Sequence, residues 1–300
     1  MPELKKVPAN GIEIAYETFG ERDALPLVLV MGWGTQMVAW PDPLCQDLAD
    51  RGHYVVRFDN RDVGASTHLD AVRTPPLRSI VSRRRRPPYT IDDMADDALG
   101  LMDALELGPV HLVGASMGGF IAQAVALRKP ERLRCLTLMM SSTGSRRVGQ
   151  ADPRLIGRLV SRPVVLDAEQ AMASVLDTFR AIGSKGYELD EDRLRRIGAL
   201  SFERGYDPAG YRRQLAAVVS QTNRTAALRR LDLPTLVMHG LQDPLVAASG
   251  GLALARVIRG ARFVGFSGMG HDLPTELWPE FAEHITALSR RAEGRARQAV

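Results

Sequence analysis

The chain reads as an α/β protein built on a mostly parallel sheet, and three observations support this. Short β-rich runs alternate with longer helical patterns. Several of those runs, LVLVM, HLVGA and TLVMH, are almost continuously apolar, as central strands covered on both faces must be. With 300 residues, 45% of them hydrophobic and 25% charged, the chain can bury a large core, as one big domain or one domain carrying an insertion.

Taken in order, residues 12–19 alternate more than the others and read as an antiparallel strand near the sheet edge. Residues 27–31, 54–58, 110–115, 135–140, 235–239 and 262–266 complete the strand set. Thr90 can N-cap a helix whose apolar positions Met94, Ala98, Leu101, Met102 and Leu105 recur at helical spacing. Asp92 and Asp93 favour its N-terminus, and Gly108 is expected to end it. Residues 117–127 form a compact Ala-rich helix. A last helix spans about 274–293, before a short basic tail expected to fray. One region breaks the alternation. From Gly144 to Arg224 only helical patterns are found, at 168–182, 191–199 and 209–220. An all-helical stretch between two strands reads as a lid, dividing the chain into a core (1–144 and 222–300) and a helical cap (145–221).

Composition excludes several classes. The net charge is +4, but the basic residues are spread along the chain and only Lys5, Lys6, Lys129 and Lys185 are lysines. No nucleic-acid module is visible, so no nucleic-acid partner is expected. The run Arg83, Arg84, Arg85, Arg86 before two prolines reads as a solvated loop rather than an anion site. Cys45, in an amphipathic helical stretch, and Cys135, in a strand, read as small buried hydrophobes, which suits a reducing compartment. The first residues lack the apolar run of a secretory signal, and no stretch approaches the ~20 residues of a membrane span. A cytoplasmic protein, monomer or homodimer, without a membrane partner is expected.

The chemistry centres on GASMGG, where an apolar strand ends. A serine hydroxyl attacks only if a base removes its proton. Gly114 and Gly118 flank Ser116 at i−2 and i+2, permitting a sharp strand–turn–helix that lifts the side chain out of the turn. The Walker Lys-Ser/Thr pair and the dinucleotide glycine spacing are both absent, which disfavours a phosphate loop. Of six histidines, His111 and His239 lie inside strands, His53 precedes one, His284 sits mid-helix and His68 lies in a loop. His271, in GMGHDLP after the last strand, is placed to reach the C-terminal edge of the sheet, where catalytic loops of such sheets gather. Asp243, in HGLQDPL after another strand, is the acid best placed to orient it. Asp272 is the neighbour of His271, and adjacent side chains rarely face one another. The order Ser116, Asp243, His271 is that of a nucleophile-elbow hydrolase. A turn at Gly32-Trp33-Gly34 can aim the Trp33 N–H beside that of Met117 as an oxyanion hole. Gly32, Trp33 and Met117 are also candidate pocket walls, whereas Phe120 reads as ordinary helix packing. Asp59, Arg61 and Asp62 read as a structural charged loop beside the site.

The succession MGWG, RFDNRDVGAST, GASMGG, HGLQDP and GMGHDLP resembles the α/β-hydrolase superfamily from about Gly11 to Ala287, in its capped serine-hydrolase branch. Within that branch it is most similar to bacterial carboxylesterases related to aclacinomycin methylesterase. The resemblance implies an eight-stranded sheet, a helical cap after the sixth strand, and no cofactor or metal. It implies Ser116 as nucleophile, His271 as base, Asp243 as acid, and Trp33 and Met117 as backbone oxyanion donors, acting on a small-molecule ester. Many relatives have His-Gly where this chain has Met31-Gly32, and the segment 67–89 is longer than usual. A C–C bond hydrolase, lactonase, thioesterase or cofactor-free perhydrolase or haloperoxidase would use the same triad. A ligand receptor on this scaffold is the alternative outside enzymes.

Overall fold

The computed structural model describes residues 2–76, 79–80, 86–160 and 164–298. Eight strands form one sheet: β1 (Lys5–Ala9), β2 (Ile12–Phe19), β3 (Leu25–Val30), β4 (His53–Phe58), β5 (Val110–Ala115), β6 (Leu133–Met139), β7 (Thr235–Gly240) and β8 (Arg262–Phe266). Their order is β1-β2-β4-β3-β5-β6-β7-β8. Pairing from β4 to β8 is parallel, while β2 runs antiparallel to both of its neighbours, as its alternation suggests. β1 escaped the reading of strand patterns because Lys5-Lys6-Val7-Pro8-Ala9 is a largely exposed edge strand with a proline, and shows no alternation.

Strand side chains alternate between two cores. On one face Val28, Val30, Leu112 and Val237 meet α2 (Ile91–Ala104) and α3 (Met117–Arg128). On the other, Leu27, Leu29, Val113 and Met238 meet α1 (Asp42–Asp50) and α10 (Trp278–Gln298). β3 lies between β4 and β5, so the chain leaves it to opposite sides. That is a topological switch point, which opens a crevice at the carboxyl ends of β3 and β5.

Thr90 caps α2 in a reciprocal box with Asp93, its Oγ1 accepting from Asp93 N at 3.2 Å and Asp93 Oδ2 accepting from Thr90 N at 2.7 Å. The end of α2 differs from expectation. Glu106, not Gly108, takes the left-handed position (φ 51°), held by Leu107 N donating to Met102 O at 2.9 Å. Leu105 and Leu107 are both buried in the core and pin the turn around it. The last helix begins at Trp278, after an extended Pro274 and a 3-10 turn, and continues to Gln298 because Ala292 is still buried.

Between β6 and β7 the described residues form only helices: α4 (Pro153–Val160), α5 (Ala168–Ile182), α6 (Glu191–Arg204), α7 (Pro208–Ser220) and the short α8 (Thr225–Leu228), with α9 (Ser249–Val257) following β7. α4 showed no pattern in the sequence and buries only Leu159. Arg83, Arg84 and Arg85 lie outside the described residues. No described helix is long and apolar enough to cross a membrane.

Candidate active site

Ser116 follows β5 directly and stands at the N-cap of α3 with φ 56°. A serine there normally caps the helix, but this side chain makes no capping bond. The left-handed backbone costs a non-glycine residue ~1–3 kcal/mol and must be held by its surroundings. Ser116 N donates to Met139 O at 2.9 Å, and Ser116 O accepts from Gly119 N at 3.0 Å and from Ser141 Oγ at 3.0 Å. The flanking glycines are required by contact: a Cβ on Gly114 would overlap the Gly118 carbonyl, and one on Gly118 the Val30 carbonyl. The strand, the helix and β3 thus meet with no room for side chains.

The turn after β3 leans on the same serine, since a Cβ at Gly32 would lie 3.1 Å from Ser116 Cβ and 3.5 Å from its Oγ. Its far side is tied to α7. Trp33 stacks on Tyr211 with ring centroids 4.2 Å apart and donates from Nε1 to Tyr211 O at 2.8 Å. Gly34 N donates to Gln214 Oε1 at 2.8 Å.

His271 and Asp243 come from the loops after β8 and β7. His271 Nδ1 lies 2.7 Å from Asp243 Oδ2. A carboxylate only accepts, so Nδ1 carries the proton and Nε2 is left as the basic nitrogen. The other carboxylate oxygen accepts from Leu245 N and Val246 N, each at 2.8 Å. Burial opposes ionisation of Asp243, but His271, hydrogen bonds from His239 and His271 and the Val246 N–H outweigh it. The carboxyl is held well below its ordinary range. His239 Nε2 faces two acceptors, Val246 O at 2.7 Å and Asp243 Oδ2 at 3.5 Å, so the proton sits on Nε2.

Asp272 is engaged elsewhere. It accepts from Ser184 Oγ at 2.5 Å and from Ser184 N at 3.1 Å, and burial pushes its carboxyl up despite those bonds. Ser184 was not singled out in the sequence. The adjacent backbone is anchored too: His271 N donates to Ile182 O at 2.8 Å, and Gly270 N to Ser184 Oγ at 2.9 Å.

Ser116, His271, Gly32 and Trp33 line one cavity of about 140 Å³, which Met140, Phe179, Ile182, Ile197, Tyr211 and Leu245 help enclose. Met117 was a candidate wall. Its side chain is instead buried in the core with Phe120, because α3 is enclosed all round. The charged loop has its partners: Asp59 accepts from Met37 N (2.7 Å) and Ala65 N (3.0 Å), Arg61 pairs with Asp97 (2.5 Å), and Asp62 with Arg213 (2.7 Å). Among the described residues, Asp62, His68 and Asp207 approach one another closely enough for a cation. Arg213 already lies 2.7 Å from Asp62 and 2.8 Å from Asp207, and it supplies the positive charge there.

A mostly parallel sheet whose strand ends bring a strained serine and an imidazole to one cavity, the imidazole backed by a buried carboxylate, defines a class of α/β enzyme. The chain belongs to the α/β-hydrolase family, whose alpha/beta hydrolase fold profile matches residues 26–276, and it is a hydrolase. It is 29% identical to a rhodomycin D methylesterase of Streptomyces sp. (strain C5), over 96% of this chain and 98% of that protein. It is also 29% identical to a 2-hydroxymuconate semialdehyde hydrolase of Pseudomonas sp. (strain CF600), covering 98% and 97%. Among solved structures, a hydrolase from Pseudomonas aeruginosa superposes with TM-score 0.69 at 27% identity, covering 97% of this chain and 98% of that one.

Proposed function

We propose that the chain hydrolyses carboxylic esters of small molecules through an acyl-enzyme formed on Ser116. The observation that carries this is that Ser116 and His271, its Nδ1 2.7 Å from Asp243, wall the same cavity. The methylesterase likeness along nearly the whole chain supports the ester class. His271 Nε2 takes the Ser116 proton as Oγ attacks the carbonyl carbon, and Asp243 stabilises the imidazolium. The Trp33 and Met117 N–H groups hold the oxyanion, each typically worth ~3 kcal/mol of transition-state stabilisation. The C–O bond breaks, the imidazolium protonates the departing alcohol, and a water deprotonated by the same nitrogen releases the acid. Residues 145–221 act as the cap over this pocket. Two buried thiols, one with its pKa raised by burial to about 12 at Cys45, fit the cytoplasm.

The test is turnover of p-nitrophenyl acetate by wild type and Ser116→Ala. Loss on the order of 10⁶ in kcat is expected; retention of most activity would overturn the reading. Steady turnover after any burst separates an enzyme from a receptor that stalls once acylated. The semialdehyde hydrolase relative gives a second reading, C–C cleavage on the same residues. It is supported instead if a vinylogous diketone is cleaved while esters are not.

A further inference from the structure

The turn that carries Trp33 is held from two directions. On the core side, Asn60 Nδ2 donates to Met31 O at 3.0 Å, and Gly32 packs against Ser116. On the other side stands α7, an inserted helix whose Tyr211 and Gln214 both reach the turn. We propose that Gln214 is a positioning residue for the oxyanion hole. Through the Gly34 N–H it fixes the peptide groups around Trp33, so that core and insertion complete the hole together. The inference rests on Ser116 being the nucleophile and on the Trp33 N–H being an oxyanion donor.

Gln214 is fully buried, and its two partners settle the orientation of its amide. Gly34 N can only donate and Arg61 O can only accept, so Oε1 faces the first at 2.8 Å and Nε2 the second at 2.7 Å. Its neighbour Arg213 anchors the same stretch of α7 to Asp62, through Nε at 2.8 Å and Nη2 at 2.7 Å. Oε1 is therefore a fixed acceptor delivered by the helix, not a loose side chain that follows the turn.

The polar groups of the turn show what that acceptor controls. The Met31–Gly32 peptide is held at its oxygen by Asn60. The Trp33–Gly34 peptide is held at its oxygen by Thr35 Oγ1 (3.1 Å) and at its nitrogen by Gln214. Between them lies the Gly32–Trp33 peptide, whose N–H has no acceptor among the described residues. Both of its residues line the cavity of Ser116 and His271. An oxyanion donor lowers the barrier when its direction is set before charge develops, and fixed planes on both sides limit the rotation of the plane between. The turn also fits the helix closely: Gly34 adopts φ 62°, and a Cβ there would overlap the Tyr211 ring. Without Gln214 the Gly34 N–H loses its acceptor, and turning towards another draws the Trp33 N–H out of line.

The experiment measures hexyl trifluoromethyl ketone as an inhibitor of p-nitrophenyl acetate turnover, with hexyl methyl ketone as its ground-state counterpart. Ser116 Oγ adds to the fluorinated carbonyl carbon, its proton passes to His271, and the resulting oxyanion occupies the hole. The methyl ketone, a poorer electrophile, binds without that addition. Gln214→Met and Gln214→Asn both take the acceptor from Gly34, the first by chemistry and the second by length, so either carries the test if the other does not fold. Gln214→Glu returns an oxygen to the Gly34 N–H. The readout is Ki, which does not depend on how much of the enzyme is folded. The expected Ki of the fluorinated ketone is about thirtyfold higher in the Met and Asn variants, with kcat/KM for the ester falling alongside. Ki of the methyl ketone should stay within about twofold, and Gln214→Glu should return the fluorinated ketone to within about fivefold of wild type. An unchanged Ki for the fluorinated ketone, or an equal rise for both ketones, overturns the role of Gln214 alone. Wild type that neither turns over the ester nor prefers the fluorinated ketone overturns the Ser116 reading, and this inference with it.

Discussion

The C-terminal edge of the sheet and the helices inserted between β6 and β7 build one pocket by opposite means. At the edge, position comes from backbone. Ser116 is clamped by main-chain bonds and by glycines that admit no Cβ, and Asp243 by two amide donors. The inserted helices are instead tied down largely by long polar side chains reaching acids of the core: Arg204 to the buried Glu17 at 2.6 Å, Arg213 to the buried Asp62 at 2.7 Å and Arg224 to the exposed Asp92 at 3.2 Å. Main-chain bonds and close-packed glycines hold the chemical groups, while ion pairs between long side chains hold much of the wall. Under the proposed function, rate belongs to the edge, which Gln214 buttresses from α7, and selectivity to the helices.

The largest effect after Ser116 should come from the edge. Asp243→Asn ought to lower kcat about 10⁴-fold, because the amide no longer imposes the Nδ1–H tautomer. Single-turnover acylation rates check it, and a loss below tenfold would mean the edge is not organised around that bond. The tethers should show in stability first. Arg213→Leu strands the buried Asp62 carboxylate, and breaking such a pair costs about 3–5 kcal/mol. Urea midpoints measure the loss, and hydrogen exchange should place it in α6 and α7 before the strands. A change smaller than 1 kcal/mol would show that packing, not charge, holds the helices. The effect that is smallest at neutral pH concerns acid. His111 in β5 is pushed down to about 3 by burial, aided by His53 and Arg134, although Glu293 lies 3.3 Å from Nε2. The unfolded chain takes up that proton near pH 6.5 and the folded chain only near 3, so stability is full above the first value and falls towards the second. His111→Gln should flatten the slope of stability between them by up to about 1.4 kcal/mol per pH unit.

The same contrast governs what the sequence disclosed. Ser116, Asp243 and His271 were legible because each follows a strand end and the turns need glycines, which are visible as letters. Asp243 was preferred to Asp272 on geometry, and Ser184 is the partner that takes Asp272 away. Of the cavity walls, Gly32 and Trp33 were legible, but those on the inserted helices were not. Phe179, Ile197 and Tyr211 sit on amphipathic helices, whose apolar faces read alike whether they meet a core or an empty space. β1 and the Glu106 turn failed for a local reason: exposed lysines and a glutamate in a left-handed turn contradict propensity, and tertiary packing overrides it.

His271 N donates to Ile182 O, the last residue of α5, and Lys185 N and Gly186 N both donate to Gly268 O. The insertion is therefore stitched to the loop that carries the imidazole, and it cannot be treated as an interchangeable part. An engineer exchanging these helices for those of a relative to change substrate range would have to keep residues 182–186 in place. Splicing that leaves this seam intact can retune the catalyst, whereas splicing across it would deliver a new pocket to a displaced base.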